Sequence, residues 1–185
     1  MNFNKHLNLL GSHSFLSASS HHWINYDADK LRDRYLKHLA VLKGTELHDL
    51  AARLIKNKVN LPRSKKTLNM YVNDAIGYRM EPEQPLYYSD NCFGTTDAIC
   101  FRKNLLRIHD LKTGTTPASI DQLRIYNALF CLEYDVKPND IETELRIYQF
   151  DEILVDNPPK EDIMYIMRKI IDFDKILESM KAEVK

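Results

Sequence analysis

Between Gln84 and Lys112 the sequence contains three short runs in which apolar and aromatic residues alternate with polar ones: QPLYYS, FGTTDAICF and LLRIHDLK. Turn-forming residues bound each run, and period-two alternation at such close spacing constrains the segment to three adjacent strands in a meander. The flanks read differently. After the hydroxyls between Ser17 and Ser20, Leu31, Tyr35, Leu39 and Leu42 recur at helical spacing and predict a helix from about Asp27 to Lys43, which Gly44 breaks. Thr45 then caps a second predicted helix, ELHDLAARLIKN, with His48 on its flank, and SKKTLNMYVNDAIG reads as a third. Downstream, SIDQLRIYNALFCLEY is helical, ETELRIYQF and EILV return to strand, and an amphipathic helix over about 159–182 follows Pro158-Pro159. This order predicts an α/β architecture: a mixed central sheet flanked by helices, with extra N-terminal helices and a C-terminal helix.

The 185 residues suit a single domain, with residues 1–15 expected to be flexible and the core over about 16–157. Lys+Arg and Asp+Glu balance at 26 each, so the chain as a whole offers no attraction to a polyanion. Contact with nucleic acid must use local patches such as Arg63-Ser64-Lys65-Lys66 and Arg102-Lys103. Cys92, Cys100 and Cys131 lack metal-site spacing and suit a reducing, cytoplasmic setting. The N-terminal apolar run is too short for a secretion signal, and no run of about 18 apolar residues predicts a membrane span.

The chemistry-bearing stretch is LRIHDLKTG, Leu106 to Gly114. Alternation puts Leu106, Ile108, Asp110 and Lys112 on one face, and Arg107, His109 and Leu111 on the other. His109 is therefore expected to face away from Asp110. A hairpin loop centred between Lys103 and Asn104 sets Asp97 opposite Asp110, with Cβ atoms roughly 5 Å apart, which is costly between like charges unless a cation lies between them. Two carboxylates in oxygen-rich surroundings suit Mg²⁺ or Mn²⁺, and an adjacent lysine suits metal-assisted hydrolysis. The bland reading is a partly exposed pair of aspartates with Lys112 as a surface counterion. Two further acid-x-Lys tripeptides, Asp135-Val136-Lys137 and Glu183-Val184-Lys185, have no strand under them.

Several separated pieces together resemble one family. GTTDAI at Gly94 to Ile99, IHDLKTG, QLRIY at Gln122 to Tyr126, KGTELHDLA at Lys43 to Ala51 and the opening LSASSHHW are similar to the RecB-like, lambda-exonuclease-like branch of the PD-(D/E)XK nuclease superfamily. The likeness covers about residues 16–135. It implies a restriction-endonuclease-like αβββαβ core in which His48, Asp97, Asp110 and the Leu111 carbonyl ligate Mg²⁺ or Mn²⁺. It also implies Lys112 as the catalytic lysine, with Gln122 and Tyr126 reaching the phosphate from one helix face. Some members add a glutamate from the preceding strand, for which Glu83 is the nearest candidate. Relatives that carry an iron-sulfur cluster use four cysteines, so no cluster is expected, and no G-x-x-x-x-G-K-[ST] motif is present.

Each residue also has a plainer role open to it. Ser119 and Gln122 fit an ordinary capping box, Tyr126 a core position, and His21-His22-Trp23 local packing and capping. The leading expectation is a stand-alone phage or bacterial DNA exonuclease of recombination or repair, acting on linear duplex or single-stranded DNA in the bacterial or phage-infected cytoplasm. Oligomerisation, or a single-strand-annealing or other DNA-binding partner, would compensate for zero net charge. The alternatives are a catalytically inactive nuclease-fold module that binds DNA or protein, and a structural subunit docking through its C-terminal helix.

Overall fold

A computed structural model describes residues 5, 7 and 11–183, so most of residues 1–10, and Val184-Lys185 of the third acid-x-Lys tripeptide, lie outside the described residues. The chain divides into two compact units, Met1–Lys43 and Gly44–Lys185. In the first, a 3-10 segment over Ala18–Asn25 follows Ser17, whose hydroxyl accepts the Ser19 N–H and whose carbonyl accepts the Trp23 indole N–H at 2.8 Å. Trp23 and the neighbouring His21 and His22 rings, 4.7 Å apart, thus take the local packing role open to them. Asp27 then caps helix α1 by accepting the Lys30 N–H at 2.7 Å.

Helix α1 runs over Ala28–Lys56 without interruption. This corrects the expectation of two helices broken at Gly44. A glycine inside a helix costs only about 1 kcal/mol relative to alanine, too little to end one whose later residues, Ala51 and Ile55, are buried. Gly44 instead meets a spatial demand: a Cβ there would lie 3.0 Å from the Thr113 hydroxyl.

The second unit continues with α2 (Thr67–Tyr78), β1 (Glu81–Ser89), β2 (Cys92–Arg102), β3 (Leu105–Leu111), α3 (Asp121–Glu133), β4 (Glu142–Gln149), β5 (Glu152–Asp156) and α4 (Lys160–Glu183). The five strands form one mixed sheet in sequence order. β1, β2 and β3 are antiparallel, β4 is parallel to β3 after the α3 crossover, and β5 closes antiparallel on β4. Ile99, Leu106 and Ile108 bury one face of the sheet with Leu123, Leu129 and Ile163 from α3 and α4. Ala98, Cys100, Leu111 and Tyr148 bury the other with Ala51, Ile55, Tyr71 and Val72 from α1 and α2. The chain is therefore α/β with helices on both faces of a mixed sheet. Among the described residues no helix is long and apolar enough to cross a membrane.

Two tight turns fix the register. Arg102 pairs with Leu105, leaving Lys103 and Asn104 as a two-residue loop with φ of 51° and 59°. Phe150 and Asp151, between the paired Gln149 and Glu152, repeat the arrangement with φ of 55° and 59°. Left-handed conformation at both central residues matches the right-handed twist of the flanking strands, and asparagine tolerates it better than most side chains. We expect Asn104→Val to destabilise the protein by about 1–2 kcal/mol, because a β-branched residue resists left-handed φ. Urea denaturation should show a lower midpoint with unchanged slope, while Asn104→Gly should not lower it.

Candidate functional site

The turn at Lys103-Asn104 sends β2 and β3 back along each other as far as the pair Ala98 and His109. Beyond that pair the Asp97 carboxylate, not a ladder partner, accepts the Leu111 N–H at 2.8 Å. The same carboxylate oxygen lies 3.3 Å from His48 Nδ1 on α1. On its other side, Glu83 occupies the β1 position between Pro82 and Gln84, which pair with Ala98 and Thr96, and its backbone is left-handed at φ 52°. His48, Glu83 and Asp97 each offer a ligand atom, and these atoms lie within 4.8 Å of one another.

A second group adjoins this triad. Lys112 Nζ lies 3.0 Å from both carboxylate oxygens of Asp110, donates to Oδ1, and donates also to Gln122 Oε1 at 2.9 Å. The Gln122 amide N–H donates to the Tyr126 hydroxyl at 3.2 Å. Gln122 therefore faces the lysine and takes no part in a capping box. Ser119 Oγ instead accepts the Asp121 N–H and donates to the Asp121 carboxylate. The Tyr126 ring packs so closely on Gly94 that a Cβ there would lie 2.9 Å from a ring carbon, which accounts for the glycine that opens GTTDAI. Leu111 buries its side chain in the core shared with α1 and α2.

Electrostatics follow from this crowding. Burial, then the Asp97 charge, pushes Asp110 up to about 6 against the opposing pull of Lys112. Asp110 Oδ2 is buried and without a hydrogen bond. Loss of hydration, then the Asp97 charge, raises Glu83. The hydrogen bond to Asp97 outweighs desolvation and raises His48. Tyr71 of α2 is also held well above its usual value, by burial and then by the charges of Asp97, Glu83 and Asp110.

Two carboxylates and one imidazole gathered this closely could together hold a metal ion. Asp110 stands outside these three, with Lys112 Nζ 3.0 Å from each of its carboxylate oxygens.

Two residues with no role assigned from sequence bear on the site. Gln149, at the end of β4, donates to the Gly114 and Thr116 carbonyls at 2.9 and 2.8 Å and accepts the Ala118 N–H at 3.0 Å. It thereby fastens the loop that joins Lys112 to Gln122. His109, on the opposite face from Asp110 as alternation requires, is fully buried. Its Nδ1 lies 3.2 Å from the Tyr148 hydroxyl, which donates to Asp74 at 2.7 Å. Burial, aided by Arg146 and Arg107, lowers the His109 pKa to about 3. A polar residue inside each apolar strand run was visible in the sequence, but its partners lie tens of residues away.

A scan against protein-family models matches none, and a search of the curated proteins finds no match.

Two measurements probe this arrangement. Because the folded pKa of His109 is depressed, the unfolded chain binds a proton that the folded one refuses between about pH 6.5 and 3. The contribution of His109 to stability is complete above the upper limit and falls by up to about 1.4 kcal/mol per pH unit as pH drops through that window. His109→Leu should flatten the dependence by one proton in urea denaturation series across that range. Gln149→Met should speed amide hydrogen exchange across residues 113–118, leaving exchange in β3 unchanged.

Proposed function

We propose that this chain is a divalent-metal-dependent deoxyribonuclease with a restriction-endonuclease-like αβββαβ core, working as an exonuclease in DNA recombination or repair. The observation that carries the reading is the convergence of His48, Glu83 and Asp97, from α1, β1 and β2, beside the Asp110–Lys112 pair of β3. A binding surface has no need of three carboxylates crowded at one point, since each raises the cost of ionising the others.

His48, Glu83 and Asp97, joined by Asp110, would hold Mg²⁺ or Mn²⁺. That ion would supply Lewis-acid charge at the phosphoryl group and activate the attacking water. The remaining work falls to the chain's own groups. Lys112 Nζ brings a positive charge, and the N–H that Asp110 and Gln122 do not engage, to the phosphate as negative charge builds on it, an effect worth roughly 10²–10³ in rate for one well-placed donor. Gln122 fixes the lysine's direction at 2.9 Å, and Tyr126 fixes the glutamine. Gln149 fastens the loop that joins Lys112 to Gln122.

Incubation with Mg²⁺ or Mn²⁺ and linear, nicked, circular or single-stranded DNA, with product lengths followed over time, tests the activity. Lys112→Ala should lower turnover by roughly 10²–10³-fold with its thermal transition retained. In calorimetry Mn²⁺ should bind wild type and not Asp97→Ala. Undiminished cleavage by the lysine variant sinks the catalytic assignment, and absence of Mn²⁺ binding by wild type favours an inactive binding module.

A further inference from the structure

The C-terminal ends of α1 and α2, the start of β1 and the end of β2 enclose a groove of about 360 Å³. Lys56, Lys58, Arg79 and Arg102 line it against a single carboxylate, Glu81. All four cations are exposed, and among the described residues none forms an ion pair. In a chain of zero net charge this is a local excess that no internal partner uses.

Backbone conformation adds a second observation. Lys58 and Arg79 follow the two helices with left-handed φ of 55° and 56°, and their N–H groups close the helix ends on Ile55, Ala75 and Ile76 carbonyls. Glycine or asparagine is the usual residue at such a position, since a side chain there is strained. At both helix ends bordering this groove a long cation stands there instead.

The groove also shares β1 and α1 with the triad. Glu83 and Glu81 are two residues apart on β1, about 7 Å, and His48 and Lys56 are eight apart on α1, about 12 Å. Twelve ångströms is the axial rise of about three or four nucleotides in one strand of a duplex.

We infer that this groove is a subsite for the phosphate backbone of a nucleic-acid strand whose scissile phosphodiester lies at His48, Glu83 and Asp97. The choice of strand as ligand rests on the nuclease reading; the cations and their strain do not. Lys56, Lys58, Arg79 and Arg102 contact phosphates without reading bases, so the subsite holds register and not sequence.

The test is the double variant Lys58→Gly/Arg79→Gly, which removes two charges while easing the backbone, so that its thermal transition should equal or exceed that of wild type. Binding of a fluorescently labelled DNA duplex is followed by anisotropy in EDTA over a range of salt concentrations. The slope of log affinity against log salt should shrink by about 1.8 for duplex and about 1.4 for single strand, equally for unrelated sequences. Lys169→Gln, whose ammonium lies over the Tyr165 and Phe173 rings, is the control and should leave the slope in place. A slope unchanged in the double variant overturns the inference, as does wild type that binds no DNA in EDTA. Inorganic tripolyphosphate that occupies the groove without competing with DNA also overturns it. Wild type that binds DNA with the expected slope loss in the variant, yet cleaves nothing with Mg²⁺ or Mn²⁺, overturns the catalytic reading alone.

Discussion

Everything at the candidate site depends on two neighbouring strands bringing like charges together. Asp97 and Asp110 sit across β2 and β3 at the point where the ladder ends, and the Asp97 carboxylate fills the gap by taking the Leu111 N–H. That bond holds the carboxylate in place beside a neighbour of its own sign. The strain shows in Asp110, raised to about 6, and in Glu83, raised through the same Asp97 charge. Lys112 and, when protonated, His48 oppose this charge, and each reaches one aspartate. Carboxylates crowded in this way are poor as a stabilising device.

The opposite face of the same sheet solves a charge problem differently. There Arg146 bonds Asp74, Glu144 and the Tyr78 hydroxyl, while Arg107 bonds Glu144 and stacks over the Tyr78 ring. Opposite charges alternate, and His109 is kept neutral among them by burial. Consecutive residues of β3, His109 and Asp110, thus sit in a balanced network and in an unbalanced one. The pleat alone separates them.

Where an interaction is local, the sequence announced it. Alternation and the Lys103-Asn104 turn were enough to place β2 against β3 in the observed register, because a two-residue loop allows few others. Gly44 misled because its local preference is weak and its real reason, the Thr113 hydroxyl, is distant in the chain. Ser119 and Gln122 fitted a capping box equally well until Lys112 competed for the glutamine. Glu83 has a left-handed backbone within a strand, which alternation along β1 does not reveal. The roles of His109 and Gln149 depend on partners that only folding brings near, and so do Lys56, Lys58 and Arg79, which come from two separate helix ends.

The loop from Lys112 to Ile120 has the composition of a segment that tolerates change: exposed, rich in threonine, with one glycine and one proline. Loops of this kind usually accept an added residue at little cost, since closure entropy grows slowly with length. This one is fastened at three backbone groups by a single side chain whose donors and acceptor are all engaged. One residue more or fewer would leave at least one of those groups, or one end of the amide, without a partner. Its length is therefore as constrained as a strand register.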